Sequence, residues 1–300
     1  MSVIEVRSLT RRYGNRRGIE DVTLSVGEGA LYGFLGPNGA GKTTTIRILM
    51  GFMQATTGSA RILGMDCWTQ SHHIKANVGF IPGDLRLWGW LTGRSALKHF
   101  GSMRSTDITK HGEALAEELE LDLHVRVGAM SRGMRQKLGL ILALAHQPRV
   151  LILDEPTTAL DPLVQERLRS ILRRMAQAGH TVFFSSHTLG EVETLCDRVA
   201  IVREGRIVAD STLADLQQRA GHEVTIDWRE DEAGRANAQL AAPKGLLLDR
   251  VEAGRWQGRY EGEVSDLINA LSGKPIADLS ITRPDLETLF RRYYTDGGAP

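Results

Sequence analysis

The most informative segment of the sequence is GPNGAGKT, residues Gly36–Thr43. It fits the pattern G-x-x-x-x-G-K-[ST], in which successive backbone N–H groups surround phosphate oxygens and a helix begins directly behind them. The apolar run 30–35 before it predicts a buried strand, and residues 44–53 after it predict a helix. This strand–loop–helix context indicates a phosphate-binding loop and disfavours a glycine-rich turn that matches by chance.

The residue types in this loop each suit phosphate binding. Its glycines adopt backbone conformations that residues with a Cβ avoid, and they leave room for the chain to approach the phosphates. Lys42 supplies positive charge for the β- and γ-phosphates, and the Thr43 hydroxyl is placed to join a Mg²⁺ shell. The predicted nucleotide-binding residues of the segment are Gly36, Pro37, Asn38, Gly39, Ala40, Gly41, Lys42, Thr43 and Thr44.

Length and charge limit the classes of partner. A chain of 300 residues suggests two domains. The balance of 37 basic and 36 acidic residues gives a formal net charge of +1, so no global field attracts nucleic acid or anionic lipid. We therefore expect no nucleic-acid partner. Cys67 and Cys196 match no metal or redox spacing and are predicted to be buried small hydrophobic residues.

The sequence also argues against export and against membrane insertion. Glu5 and Arg7 interrupt the apolar core that a signal peptide needs. The longest apolar helical stretch, 138–145, is far shorter than the ~20 residues that span a bilayer. Any role at a membrane is therefore expected to require a partner.

Residues 2–8 and 21–26 alternate in polarity and predict two strands, with a basic loop at 11–18 between them. Tyr13 lies in this loop. An aromatic residue upstream of a phosphate-binding loop either stacks on a nucleotide base or is an ordinary surface tyrosine, and the residue alone favours neither.

A strand is predicted at 78–81, and Pro82 and Gly83 end it. The segment Asp84–Thr92 that follows is rich in large apolar residues, namely Leu85, Leu87, Trp88, Trp90 and Leu91. This apolar area belongs either to the core or to a docking surface for a partner. Spacing alone favours the core.

Residues 94–120 have a helical pattern, and a strongly apolar helix is predicted to run from Ser131 to His146. Ser131 is a suitable N-cap for it. Gly133 lies in its first turn, where a side chain is least tolerated if an anion approaches the helix N-terminus.

An apolar strand at 150–153 is followed by Asp154 and Glu155. Adjacent side chains of an extended chain point to opposite sides, so one carboxylate can face a metal while the other faces a water. His187 follows another predicted strand, at the C-terminal edge where such sheets place site residues. The first folded unit is expected to end near residue 218, and the alternation at 224–228 and 256–260 predicts a small α+β module after it, with helices at 264–272 and 285–294 and a loop at 229–242.

Together, these motifs closely resemble the ATP-binding subunit of ABC transporters over residues 1–215. Residues 36–43 resemble Walker A, 150–155 (VLILDE) Walker B, 130–134 (MSRGM) the signature, 159–161 (ALD) the D-loop, and His187 the switch histidine. The resemblance implies an α/β fold of the P-loop NTPase class and ABC ATPase type, with a mixed sheet core. It implies an ATP-binding domain at 1–218, with a helical subdomain at about 84–146, followed by a small accessory α+β domain at 219–300.

The resemblance further implies ATP and Mg²⁺ as ligands and assigns roles to the quoted residues. Glu155, His187 and Lys42 would be catalytic, Thr43 and Asp154 would hold Mg²⁺, and Tyr13 would stack on adenine. Ser131 and Gly133 of one subunit would close on the γ-phosphate held by the other in a head-to-tail homodimer. A membrane permease would dock at Asp84–Leu91, which places the protein at the inner face of the cell membrane.

Two features depart from the family pattern. The signature is usually L-S-G-G-Q, and Met130, Arg132 and Met134 replace three of those residues. The glutamine expected after Pro82 is Gly83, so Asp84 or water is expected to replace its contacts. These variants resemble single-domain subunits of ABC-2-type exporters, as does the segment PDLETLFRRYY at 284–294.

Three functions fit this resemblance to different degrees. The first is an ATPase that drives an exporter. The second is a soluble ABC ATPase acting on nucleic acid or the ribosome, a class that typically carries a coiled-coil insertion, zinc-binding cysteines or a second cassette, none of which is present in this sequence. The third is a non-catalytic regulator, which would be expected to lack Glu155 or His187. The sequence favours the exporter ATPase.

Overall fold

The computed structural model describes residues 2–14, 16–219, 221–229, 242–252 and 254–282. The chain forms two compact units, of which the first ends at Thr212 and the second begins at Leu213. The strands of the first unit are β1 Ser2–Tyr13, β2 Arg16–Gly27, β3 Leu31–Leu35, β4 Thr57–Ile62, β5 Met65–Asp66, β6 Val78–Ile81, β7 Val150–Asp154, β8 Thr181–Ser186, β9 Arg198–Arg203 and β10 Arg206–Thr212. Its α-helices are α1 Lys42–Leu49, α2 Ser71–Asn77, α3 Gly93–Met103, α4 Thr109–Glu118, α5 Arg132–Leu144, α6 Pro162–Gln177 and α7 Leu189–Leu195.

Two sheets form the centre of the first unit. A six-stranded sheet has the order β10-β9-β3-β8-β7-β6, in which β9, β3, β8, β7 and β6 are parallel and β10 is an antiparallel edge strand. An antiparallel sheet has the order β2-β1-β4-β5. The prediction of a mixed-sheet α/β fold is confirmed.

The central parallel strands are buried on both faces. Every residue of β3, β7 and β8 is buried, as expected for parallel strands covered on either side. Tyr32 on β3 stacks on Phe183 of β8 with ring centroids 5.8 Å apart. Because β3, β8 and β7 are neighbours, the loops that follow them meet at one edge of the sheet.

Helices α3, α4 and α5 pack on one another, and α5 also packs on β6. Thr92 opens α3 with a capping box to Ser95, and Ser131 opens α5 by accepting from the Met134 backbone N–H at 3.2 Å. The pattern at 94–120 therefore corresponds to two helices, since α3 ends at Met103 and α4 begins at Thr109.

The predicted basic loop at 11–18 is wrong. Strand β1 continues to Tyr13, which pairs with Arg16 at the start of β2. The inner face of this hairpin buries Leu9 and Ile19 completely, so the segment is an amphipathic hairpin rather than a loop. Predicted helix 44–53 is α1, which starts at Lys42 and ends near Gly51, whose φ of 64° closes the helix C-terminus.

The second unit contains strands β11 His222–Trp228, β12 Leu246–Glu252, β13 Arg255–Tyr260 and β14 Ile276–Thr282, with helices α8 Leu213–Arg219 and α9 Val264–Leu271. Its antiparallel sheet has the order β12-β13-β11-β14. The predicted alternation is confirmed, because Val224, Ile226 and Trp228 share one core with Trp256 and Tyr260. The predicted helix at 285–294 and the exporter-like segment 284–294 lie outside the described residues, as does most of the predicted loop at 229–242.

Both cysteines are buried, as predicted. Burial raises the pKa of the Cys67 thiol to about 12 and raises that of Cys196 still further. Neither thiol therefore carries the thiolate that redox or metal chemistry requires. Among the described residues, no helix has both the length and the apolar character needed to cross a membrane.

Candidate nucleotide site

The phosphate-binding loop follows β3 and turns sharply into α1. Gly39 and Gly41 have φ values of 82° and 105°, a region that favours glycine. A Cβ on Gly41 would also lie only 2.6 Å from Ile19 Cγ2. The backbone of this loop can therefore form only with glycine at these points.

Lys42 folds back over the loop. Its side chain is only 5% exposed, and Nζ donates to the carbonyl of Gly36 at 2.6 Å and to that of Pro37 at 3.3 Å. Nζ also lies 3.4 Å from Glu155 Oε1. The ammonium group is thus fixed at the centre of the loop, where phosphate oxygens would lie.

Asp154 ends β7 with both carboxylate oxygens engaged. Oδ1 accepts from the Ser185 hydroxyl at 2.6 Å, and Oδ2 accepts from the Thr43 hydroxyl at 2.9 Å. The Asp154 side chain is buried. Since a hydroxyl and a carboxylate oxygen are hard donors of the kind that Mg²⁺ binds, Thr43 and Asp154 fit a magnesium site.

Glu155 points away from Asp154. Its φ of 50° places it in the left-handed region, which turns the side chain out of the strand direction. Oε1 faces Lys42, and Oε2 lies 3.2 Å from Nδ1 of His187. His187 follows β8 directly, so neighbouring strands β7 and β8 bring the two residues together.

Tyr13 lies at the end of the β1–β2 hairpin, beside the loop. Its hydroxyl is 3.1 Å from Met53 Sδ and 3.5 Å from Thr44 Oγ1, and its ring is 42% exposed. A cleft of about 250 Å³ joins these groups; its lining consists of Tyr13, Gly18, Pro37, Asn38, Gly39, Gly41, Lys42, Thr43, Thr44 and Glu155. One cleft thus presents an aromatic ring at one end and a phosphate-binding loop with a carboxylate at the other.

Ser131 and Gly133 lie at the start of α5 and do not line this cleft within the described part of the chain. A Cβ on Gly133 would be 2.6 Å from the carbonyl oxygen of Ala159, so this turn lies against the loop that follows β7. Gln136 reinforces that contact by donating to the Pro156 carbonyl at 2.9 Å. Ser131, the N-cap of this helix, is exposed.

Comparison with known proteins identifies the family. The family model for ABC transporters matches residues 19–158. An uncharacterized ABC transporter ATP-binding protein of Synechocystis is 32% identical over 93% of this chain and 79% of its own length. The chain belongs to the ABC transporter ATP-binding proteins. It is an ATPase of the ABC class.

Further relatives of this ATP-binding protein have exporter-type names. The daunorubicin resistance ATP-binding protein DrrA2 of Streptomyces coeruleorubidus is 31% identical over 96% of this chain and 94% of its own length. The bacitracin transport ATP-binding protein BcrA of Bacillus licheniformis is 36% identical over 73% of this chain and 72% of its own length.

Solved structures share the fold. The structure of an ATP-binding subunit of an ABC transporter is 29% identical and superposes with a TM-score of 0.69 over 73% of this chain and 93% of its own. A bacterial ABC transporter cassette, solved as a dimer, is 22% identical with a TM-score of 0.64 over 70% of this chain and 98% of its own. The second likeness concerns the fold alone.

Gly83 of this ABC ATP-binding protein, where the resemblance led us to expect glutamine, lies beside Asp154. A Cβ on Gly83 would be 3.4 Å from Asp154 Oδ2, which is ordinary van der Waals contact. Asp84 does not take the missing place, because its carboxylate is exposed and accepts from the Arg86 guanidinium at 2.9 Å. The absence of a side chain at Gly83 therefore leaves no side-chain contact from this position to Asp154.

The segment after Gly83 is largely exposed, so the core interpretation of its tryptophans is wrong. Trp88 and Trp90 are 48% and 71% exposed and stack with centroids 6.4 Å apart. Trp88 also contacts His99 and Phe100 of α3. Only Leu91 of this segment is buried. We call Trp88, Trp90, His99 and Phe100 the aromatic surface.

Sequence analysis missed residues that hydrogen-bond to the site residues or to the loops that carry them. The hydroxyl of Ser185 donates to Asp154, and its carbonyl accepts from the Glu155 backbone N–H at 3.2 Å. Thr157 and Glu191 were not singled out, although their side chains bond to each other at 2.7 Å. The short polar run after an apolar strand is the signal that could have identified Ser185, whereas nothing in the local pattern marks Glu191.

Proposed function

We propose that this subunit powers an exporter, as a head-to-tail homodimer whose ATP hydrolysis is coupled to separate membrane subunits. The unit that ends at Thr212 would be its ATP-binding domain, and the unit that begins at Leu213 would be an accessory domain. The names of the bacitracin and daunorubicin relatives support the exporter assignment. The observation that carries the hydrolytic role is the position of Glu155 between Lys42 and His187.

Hydrolysis requires that a water attack the γ-phosphorus while the bond to the β-phosphate breaks. Glu155 orients that water and accepts its proton, because its carboxylate lines the cleft beside the phosphate-binding loop. Lys42 offsets the negative charge of the β- and γ-phosphates, and His187 holds the second oxygen of Glu155 in place. Nucleotide contacts come from the loop residues named above, with Tyr13 stacking on adenine.

Magnesium would be held by Thr43 and Asp154, whose oxygens already lie 2.9 Å apart. Such an ion supplies charge neutralisation on the phosphates when bound. Ser185 fixes the other oxygen of Asp154, so the carboxylate is oriented before any ligand arrives.

Dimerisation is supported by the position of the α5 N-terminus. Ser131 is exposed, and among the described residues neither Ser131 nor Gly133 lines the cleft of its own chain. A helix N-terminus carries partial positive charge and unpaired N–H groups, which suit a phosphate. In the proposed dimer this end closes on the γ-phosphate bound to the partner subunit.

The permease docking site is the segment Asp84–Leu91 together with the aromatic surface. Through Phe100 this surface borders a cleft of about 490 Å³ lined by His72, Lys75, Ala76, Phe100, Met103, Arg104, Ser105, Thr106 and His146. In the described chain this lining has several basic side chains and no carboxylate. Exposed aromatic rings beside cations fit an amphipathic permease helix with an apolar face and at least one carboxylate. Docking there holds the subunit at the cytoplasmic face of the membrane.

The cleft also contains a histidine with a shifted pKa. Burial, together with the nearby Arg104 guanidinium, lowers the pKa of His146 from 6.5 to about 4. Arg104 itself donates to the backbone carbonyls of Lys75, Ala76 and Val78. His146 is therefore neutral near pH 7, and Lys75 and Arg104 supply the positive charge of the cleft.

The experiment that tests hydrolysis compares Glu155→Gln with Glu117→Gln, an exposed glutamate on α4. We expect Glu155→Gln to slow ATP turnover by about 10²–10⁴-fold, with ATP affinity retained. Glu117→Gln should behave as wild type. Lys42→Ala should instead weaken ATP binding, because it deletes a charge aimed at the phosphates. Wild-type turnover in Glu155→Gln would refute the catalytic assignment.

A further inference from the structure

Glu191 on α7 joins the two loops that carry the catalytic groups. Its Oε1 accepts from the Thr157 hydroxyl at 2.7 Å, and its Oε2 accepts from the Ser186 hydroxyl at 2.5 Å. Thr157 lies two residues after Glu155, and Ser186 immediately precedes His187. One carboxylate thus bridges the end of β7 to the end of β8.

The bridge is largely buried, whereas the groups above it are not. Thr157 and Ser186 are buried, at 7% and 1% exposed. The side chain of His187 is 50% exposed, and that of Glu155 is 25% exposed. Since the half-exposed side chain of His187 is not fixed by packing on all sides, the geometry of the Glu155–His187 pair depends on how firmly the two loops beneath it are fixed.

Ser186 extends the bridge to the far side of the histidine. Its Oγ accepts from the Thr188 backbone N–H at 2.9 Å while donating to Glu191. His187 therefore lies between Ser186, whose hydroxyl bonds to Glu191, and Thr188, whose backbone N–H donates to that same hydroxyl. On the other loop, the Thr158 N–H donates to the carbonyl of Glu155 at 3.3 Å, so Thr157 belongs to the turn that fixes Glu155.

We propose that Glu191 is a positioning residue for ATP hydrolysis, which fixes the separation of the loops so that Glu155 Oε2 stays 3.2 Å from His187 Nδ1. The carboxylate contacts neither the phosphate-binding loop nor the cleft lining in the described residues. Its loss should therefore affect the chemical step and leave ATP binding intact. This inference rests on the proposed roles of Glu155 and His187.

Glutamine is a conservative replacement for Glu191 that should keep both hydrogen bonds of the bridge. A glutamine at 191 can accept from Thr157 through its carbonyl oxygen and donate to Ser186 through its amide. Leucine has a similar size and removes both acceptors. Glu193 lies on the same helix, is exposed, and provides a control position.

The test measures turnover at saturating Mg²⁺–ATP, affinity for a fluorescent ATP analogue, and melting temperature. A misplacement of about 1 Å can cost on the order of 10²-fold in rate, so we expect Glu191→Leu to lower kcat by about 10- to 100-fold. Analogue affinity should change by less than about threefold, because the contacts that bind the phosphates are untouched. Glu191→Gln and Glu193→Leu should retain kcat near the wild-type value.

Combined variants test whether the bridge acts as one unit. Thr157→Val alone should lower kcat, and adding it to Glu191→Leu should lower kcat little further, since the same hydrogen bond is already lost. If Glu191→Leu does not fold, Thr157→Val carries the test by itself, because it removes one bond and keeps the side-chain shape.

Three results would overturn the proposal. The first is a folded Glu191→Leu variant with normal kcat. The second is a loss of kcat in Glu191→Leu that Glu191→Gln does not restore. The third is a loss of kcat in Glu191→Leu that is accompanied by an equal loss of analogue affinity. The Glu155→Gln variant separates this failure from that of the proposed function. If Glu155→Gln is slow while Glu191→Leu is normal, only the positioning role fails; if Glu155→Gln turns over normally, the catalytic assignment itself fails.

Discussion

Comparing Trp88→Ala with Trp68→Ala distinguishes a loss of docking from a loss of stability, because the two tryptophans are almost equally buried. Trp88 is 48% exposed and Trp68 is 47% exposed, but only Trp88 belongs to the aromatic surface. Truncating a fully buried tryptophan costs about 3–5 kcal/mol, and about half of each side chain is buried here, so each variant should lose about 1.5–2.5 kcal/mol. In a unit of this size, that corresponds to a fall in Tm of roughly 3–10 °C.

The assay pairs a melting curve with membrane pelleting in the presence of the permease. We expect Trp88→Ala and Trp68→Ala to show similar falls in Tm and near-normal basal ATPase activity. Trp88→Ala should lose membrane association, since large aromatic side chains are typical anchors of interfaces. Trp68→Ala should pellet with the membrane as wild type does.

Several results would refute this reasoning. Normal pelleting of Trp88→Ala would show that the aromatic surface is not the docking site. Equal loss of pelleting in both variants would assign the effect to destabilisation. A cost for Trp88→Ala above about 3 kcal/mol would show that the side chain supports the core more than its exposure indicates.

Three further predictions concern other parts of the molecule. The free energy of unfolding should fall as pH decreases from 6.5 to about 4, because His146 binds a proton more tightly in the unfolded chain than in the folded chain. Urea unfolding at pH 7 and pH 5 measures this fall, and the fall should be smaller in His146→Gln. Gly83→Gln should melt close to wild type because its Cβ has room, whereas Gly36→Ala, whose Cβ would lie 2.4 Å from a backbone oxygen, should melt well below it. Ser131→Asp keeps the helix cap but places an anion where the partner's phosphate would lie, so this variant alone should have no turnover. Mixing Ser131→Asp subunits with Lys42→Ala subunits should restore activity. Inactive mixtures in which heterodimers are shown to form would contradict site sharing.

The sequence predicted those parts of the fold whose signals are local. The loop at 36–43 requires glycine at strained points, and the apolar runs 150–153 and 182–184 indicate buried strands. The cap at Ser131 was predicted for the same reason, since its hydroxyl bonds within one turn. Such features need only a few consecutive residues, so their pattern is visible in the sequence.

Features set by distant contacts were predicted poorly. The arginine-rich segment 11–18 has the composition of a loop, yet Tyr13 pairs with Arg16 in a hairpin. The neighbouring Ile19 is buried in a core that includes residues as distant as Phe183, which the local pattern does not show. Trp88 and Trp90 have the composition of core residues, and only the packing of α3 shows that they lie outside it. Glu191 has its role through Thr157, 34 positions away, and no local pattern could reveal it.

The arrangement of β3, β7 and β8 has a consequence for synthesis of the chain. The three strands are neighbours in the sheet, but they begin at residues 31, 150 and 181, so their pairing closes long loops and comes late in folding. While the ribosome has released only the first half of the chain, the phosphate-binding loop has no Asp154, Glu155 or His187 beside it. ATP at about 100 times its Kd would then add about 2.7 kcal/mol of stability to the finished sheet and little to its precursors. ATP in the cell therefore stabilises chains whose central sheet is complete more than chains whose sheet is incomplete.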